Sequence, residues 1–228
     1  MTIKIQVDVF VIIGLTLLLV ALFKLAELKI RKVDPFEKSP AWLTLLEWLV
    51  ESLDNMAVTN VGKGYAQLMC PYLISISVYI FTSNILGLFS IPSPTSNYSV
   101  TLTLAFFTWV FQQVAAIKHG GIRSYLHGFL EPIPLFLPMN IIGKFSSLMS
   151  MSLRLFGNIL AGGVMMSLIY AFTDVVSNIL VPFNFVGPLI APVFHAYFDV
   201  FSGFIQTLIF ITLTVVLVGN ELPDEVKQ

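Results

Sequence analysis

The stretch MNIIGKFSSLMSMSLRLFGNILAGGVMMSLIYAF, residues 139–172, decides what kind of protein this chain makes. It is apolar apart from Lys144, Arg154 and a scatter of Ser and Asn. As one helix it would be roughly 51 Å long at 1.5 Å per residue, against a hydrocarbon core of ~30 Å. It is therefore either two spans with a break near Gly162-Gly163 or one strongly tilted helix. Arg154 lies too deep in the run to reach water easily. Its guanidinium stays charged, and a central Arg costs about 2.5–3.5 kcal/mol even on the mildest insertion scale. It must face protein, water or a carboxylate. Steps of three and four place Lys144, Ser147, Met151, Arg154, Asn158 and Ala161 on one helix face. Gly157, Ala161 and Gly162 are small enough for another helix to approach closely.

The rest of the composition agrees. Of 228 residues, 57% are hydrophobic and 11% charged, with a mean hydropathy of +0.88. Soluble domains carry about 25% charged residues. Between Pro132 and Asn220 the charged residues are Lys144, Arg154, Asp174 and Asp199 alone. A soluble enzyme domain, a disordered chain and a disulfide scaffold are thereby excluded, and an all-α integral membrane protein is expected. The net charge of −1 offers no footprint for nucleic acid. Cys70 is the sole cysteine, so an intrachain disulfide or thiolate cluster cannot form. P-loop, HExxH, GxSxG and GxGxxG signatures are missing, and neither a metal nor a cofactor is expected.

About five membrane helices and one interfacial helix are expected, in a single membrane domain over 1–228. The first span is 7–23, followed by a charged loop at 24–38. Ser39-Pro40 reads as a helix start. The helix at 40–56 is amphipathic, with Glu47, Glu51 and Asp54 on one face and Trp42 and Trp48 nearby, which suits the membrane interface. An ordinary helix packed on protein fits it equally well. Further spans are 65–89 and 100–117, the latter carrying Gln112 and Gln113. Pro132, Pro134 and Pro138 delay the next helix, which runs 139–172. A loop at 173–187 precedes the last apolar run, 189–218, also too long for one upright helix. The tail from Gly219 is polar and acidic. Loops 24–38 and 118–131 hold the basic residues and the alternate loops hold none, so the N-terminus is expected outside and the C-terminus in the cytoplasm.

In the last run His195, Asp199, Ser202 and Gln206 fall at steps of four, three and four, a polar ladder on one face. Intramembrane polar and ionisable groups are functional candidates by default. At this point the residues resemble a known family. Ser152 to Gly162 (SLRLFGNILAG) is similar to the signature of subunit a of F-type ATP synthases, in its bacterial form. Phe198-Asp199 through Ser202-Gly203-Phe204-Ile205-Gln206-Thr207-Leu208-Ile209-Phe210 resembles that subunit's last-helix motif, and Asn84-Ile85-Leu86-Gly87 its shorter motif.

The resemblance implies a stator subunit, not an enzyme by itself. Its partners would be the rotating c-ring, peripheral-stalk b subunits and the lipid bilayer of a bacterial plasma membrane. The last two helices would lie tilted along the ring. Arg154 takes the position of the essential arginine. Asn158 and Gln206 take those of its polar neighbours, and Asp199 that of a channel Glu or His. Many relatives have Glu or His where Gly163 stands here, so Asp199 and His195 become the candidate channel groups. Lys144 is unusual, because relatives often have an acid slightly upstream on this helix. It would pair with an acid elsewhere, line the cytoplasmic path, or simply snorkel. Competing readings are a sodium-translocating version, a secondary transporter with an anion-binding arginine, and an anchor subunit of a redox complex. Transporters show paired repeats with broken helices, and a redox anchor would show His pairs within its spans. Neither pattern is evident.

Overall fold

The computed structural model describes residues 7–33, 40–89, 91–130, 133–180 and 185–222. Among them the regular structure is all helical: α1 (Val7–Ile30), α2 (Ala41–Val61), α3 (Lys63–Ile85), α4 (Tyr98–Gly128), α5 (Leu137–Leu180), α6 (Val186–His195) and α7 (Ser202–Glu221), with short 3-10 turns between. A π-helical segment, Ala196–Phe201, joins α6 to α7 without a loop. Five stretches are long and apolar enough to cross a membrane: Val9–Ile30, Lys63–Phe89, Tyr98–Arg123, Pro134–Ile179 and Val186–Glu221. The chain is an all-α, multi-pass integral membrane protein.

Several elements outrun the sequence expectation. The helix α1 continues past Phe23 to Ile30, because Glu27 pairs with Lys24 at 2.8 Å and Arg31 at 2.6 Å and so supports the turn that read as loop. The segment at 118–128 stays helical as well, with one break at Gly121, whose φ of 76° only glycine adopts cheaply. Most of the expected loop at 173–187 is helix, since α5 runs unbroken to Leu180. No break occurs at Gly162-Gly163, which excludes two separate spans there. At 44 residues, α5 would be roughly 66 Å long. It cannot stand upright within a ~30 Å core. Lys38, Ser39, Glu131, Pro132, Pro182 and the tail from Pro223 lie outside the described residues. Pro40 directly precedes α2.

The two halves of α2 differ in their packing. Its second half is packed, with Leu53, Ala57 and Val61 buried. Its first half keeps Trp48, Leu45 and the Glu47 and Glu51 carboxylates exposed. Gly62 then turns the chain into α3 with φ 81°.

The core has two parts. At one end Leu53, Ala57 and Val61 of α2 meet Tyr65, Ala66, Met69 and Leu73 of α3, and Ile211, Val215 and Val218 of α7. Toward the other, Ile76 and Ile80 of α3 meet Ala105, Leu148, Met151, Leu155 and Phe210. Lipid tails are as apolar as leucine, so close packing and polar contacts must hold such helices together. The glycines of α7 serve this. A Cβ on Gly219 would stand 2.7 Å from the Asn60 carbonyl oxygen. One on Gly203 would stand 2.7 Å from Asn84 Cβ, with Asn84 fully buried in α3. We expect Gly203→Ala to force α7 from α3, at a cost of about 1–3 kcal/mol. Immunoblots of membranes should show less assembled subunit than for Gly157→Ala, whose Cβ meets nothing within 4 Å.

Candidate functional site

Arg154 stands on the exposed face of α5, between buried Ser152 and buried Leu155. Among the described residues it forms no ion pair or hydrogen bond. Elsewhere on the same two elements, Leu153, Leu160 and Val164 of α5 and Phe204, Ile205 and Ile209 of α7 are exposed as well. The helix therefore carries a permanent positive charge that its own described residues leave uncovered.

The His195–Asp199 half of the ladder is assembled as a hydrogen-bonded chain. The Tyr170 hydroxyl lies 2.9 Å from His195 Nε2. His195 Nδ1 lies 2.7 Å from Asp199 Oδ2. With Nδ1–H donating to the carboxylate, a neutral ring accepts the tyrosine proton at Nε2. One turn on, the Ser202 hydroxyl donates to Asn158 Oδ1 across to α5 at 2.8 Å. Asp199 sits in the π-helical segment, where wider turns shift the face that follows. Thus Gln206 turns inward and is 6% exposed. Its Nε2 is buried without a protein partner.

Two cavities flank this chain. One of about 660 Å³ is lined by Leu88, Tyr170, Gly187 and His195, with neighbours. The other, about 200 Å³, is lined by Asn84, Asn158, Gly163, His195 and Asp199, among others. His195 contributes to both. Gly163 thus faces the same space as Asp199, so the chain keeps a titratable group at this cavity on α6–α7 rather than on α5. The Asn84–Gly87 motif now has a physical reason. A Cβ on Gly87 would stand 3.0 Å from the Asp199 carboxyl, so a larger residue there would push the acid from its place. Asn84 fills the space left by Gly203.

Lys144 lies apart from the ladder. Its ammonium is ion-paired with Glu221 at the end of α7. Gln112 Nε2 donates to the same Glu221 oxygen at 3.1 Å, and the Tyr125 hydroxyl donates to Gln113 Oε1 at 2.6 Å. Burial, and then the Glu221 charge, push the Tyr125 phenol up from its ordinary value. Of the roles open to Lys144, pairing with an acid elsewhere is the one the structure contains, and Glu221 is that acid. Tyr170 and Glu221 escaped the sequence reading. Tyr170 looks like one more apolar-run aromatic, and Glu221 like the first charge of a polar tail.

The described residues contain no cluster of three or more His, Cys, Asp or Glu that could hold a metal ion. Fold and site together define a multi-pass helical membrane protein with ionisable and amide side chains strung along its last two long helices.

The family described as ATP synthase A chain matches residues 9–219. Similar proteins include ATP synthase subunit a of Mycoplasmoides gallisepticum, 30% identical over 202 residues, 81% of this chain and 68% of that one. That of Streptococcus agalactiae is 32% identical over 198 residues, 81% of this chain and 79% of that one. A protein of Propionigenium modestum named ATP synthase subunit a, sodium ion specific, is 29% identical over 204 residues, 82% of this chain and 65% of that one. The chain belongs to the ATP synthase subunit a family. Its role is accordingly that of a membrane subunit of the ATP synthase complex and not of the catalytic part.

Proposed function

We propose that this chain, as a single membrane domain, is the proton-conducting stator of a bacterial ATP synthase, working against a ring of c subunits. The observation that carries the reading is the exposed Arg154 guanidinium in an apolar membrane helix, unpaired among the described residues. Such a charge is too costly to leave in hydrocarbon, so a partner bearing carboxylates must cover it. Each carboxylate of the ring takes a proton from the outside through the Tyr170–His195–Asp199 side and turns through lipid as a neutral acid. On reaching Arg154, its ionised form is favoured by the opposite charge. The proton leaves by the inner side, past Lys144. Arg154 also blocks direct passage between the two half-channels. Each charge crossing gains about 2.3 kcal/mol per 100 mV, so several crossings are summed for one ATP and a ring is needed.

The remaining assignments follow from the same reading. The N-terminus is outside and the C-terminus cytoplasmic in the bacterial plasma membrane, with α5 and the α6–α7 element oblique along the ring. Peripheral-stalk b subunits contact the other side. Asn158, Ser202 and Gln206 hold water and orient the passing carboxylate.

Proton coupling is favoured over sodium coupling by the composition of the path. A histidine lines both cavities and is hydrogen-bonded to Tyr170 and Asp199, a chain of groups that can pass a proton but offers no cage of oxygens for a metal cation. ATP-driven acidification of inverted vesicles is expected to proceed at full rate in sodium-free buffer. Activity that requires added sodium would replace the proton reading with the sodium one.

A further inference from the structure

The inner ends of α4, α5 and α7 enclose a polar cavity of about 510 Å³, separate from the two beside His195. Its wall includes Gln112, Tyr125, Asn140, Lys144, Ser147 and Glu221. The pair within it is well embedded. The Glu221 side chain is 19% exposed and that of Lys144 29%. Trp109 Nε1 donates to the Lys144 carbonyl at 2.9 Å and so anchors that turn of α5. The two donors to Glu221, Lys144 Nζ and Gln112 Nε2, both take Oε1. The other oxygen, Oε2, has no donor among the described residues. Lys144 lies ten residues before Arg154 on the same helix, roughly 15 Å along its axis. Ser147, one turn nearer to the arginine, lines the cavity too.

We propose that Glu221 is the proton-accepting carboxylate of the inner half-channel, with Lys144 and Gln112 holding one of its oxygens so that Oε2 faces the path. The inference rests on the reading of Arg154 as the release point. A proton leaving the ring carboxylate passes to cavity water, and an O–H bond forms at Glu221 Oε2. The neutral acid loses its attraction to the Lys144 ammonium. The O–H bond then breaks toward inner-side water, the carboxylate is restored, and the ion pair closes again. One proton enters and one leaves, and Lys144 keeps its charge throughout. A carboxylate buried without a cation would be strongly disfavoured in its charged form. That is why a lysine on α5 and a glutamate on α7 occur together.

The rival explanation is a brace that merely ties three helix ends together. Passive proton flux through the assembled membrane sector, stripped of its catalytic part and driven by a potassium diffusion potential, separates the two. Glu221→Gln is expected to lower flux about tenfold, the low end for loss of one acid–base group, with the amount of complex unchanged. Glu221→Asp should retain most of the flux. The double variant Glu221→Gln/Lys144→Met removes both charges at nearly constant volume and leaves no unpaired ion to prevent folding. A proton acceptor predicts that this variant is as slow as Glu221→Gln. A brace predicts less assembled complex but wild-type flux per complex, and that result would overturn the proposal. Arg154→Ala in vesicles that retain the catalytic part serves as the control for the wider reading. If it makes ATP at the wild-type rate, the function itself is wrong. If it fails while both Glu221 variants conduct normally, only the assignment of Glu221 is lost.

Discussion

Replacing Arg154 by alanine should abolish ATP synthesis coupled to the membrane potential, while the subunit still reaches the membrane and assembles. The expectation follows from where the side chain stands. Among the described residues Arg154 has no hydrogen-bond or ion-pair partner, and it is exposed, so its removal breaks no ion pair seen there and opens no core cavity. Stability is not at stake, because unpaired exposed side chains contribute little to packing. What disappears is the one fixed positive charge available to draw the proton off a passing carboxylic acid. Without it the acid holds its proton in the low-dielectric interface, and no barrier separates the two half-channels. Arg154→Lys should also fail to restore full synthesis. Lysine keeps the charge but lacks the planar fork that engages both oxygens of a carboxylate. Synthesis in reconstituted vesicles under an imposed potential and pH gradient is the measurement. Wild-type coupled synthesis by the alanine variant would refute the assignment.

A second large effect is expected at Asp199. Asp199→Asn should reduce proton flux on the order of tenfold or more, and His195→Ala should reduce it less. The difference lies in what can substitute. Both residues line the smaller outer cavity, and His195 lines the larger one as well. Truncating His195 joins two cavities and lets water stand where the imidazole was. Truncating the charge of Asp199 removes the one carboxylate at this cavity, and an amide cannot take up and release a proton at neutral pH. Gly163 offers a further check, because it lines the same cavity and a Cβ there meets nothing within 4 Å. Gly163→Glu placed on Asp199→Asn should recover part of the flux by returning a carboxylate from the α5 side. Equal, wild-type flux in Asp199→Asn and His195→Ala would reduce the ladder to a structural feature.

Much of this was legible in the chain alone. An unbroken apolar run with a single arginine can only be a membrane helix, since the hydrophobic content is a property of composition and needs no coordinates. The one-turn spacing of His195 and Asp199, which hydrogen-bond to each other, was readable because helical periodicity is local, whereas Gln206 lies beyond the π-helical turn and leaves that face. Helix ends were less readable. The turns at 24–30 and 173–180 are polar or mixed, and such residues stay helical when neighbouring turns and i,i+4 pairs support them. The π-helical segment at Ala196–Phe201 left no readable trace, because a shift from i+4 to i+5 bonding depends on what the helix packs against.

The amino-acid sequence by itself determined that this is a helical membrane protein, which of its residues carry charge into the bilayer, and which helix faces they share, because hydropathy and period are written residue by residue. Only the tertiary structure decided which of those charges are paired. Lys144 is neutralised by Glu221, far along the chain, and His195 is bound to Tyr170 and Asp199. Arg154 is left open. The reason is that pairing depends on which helices pack side by side, and that is set by small residues and cavities on several elements at once.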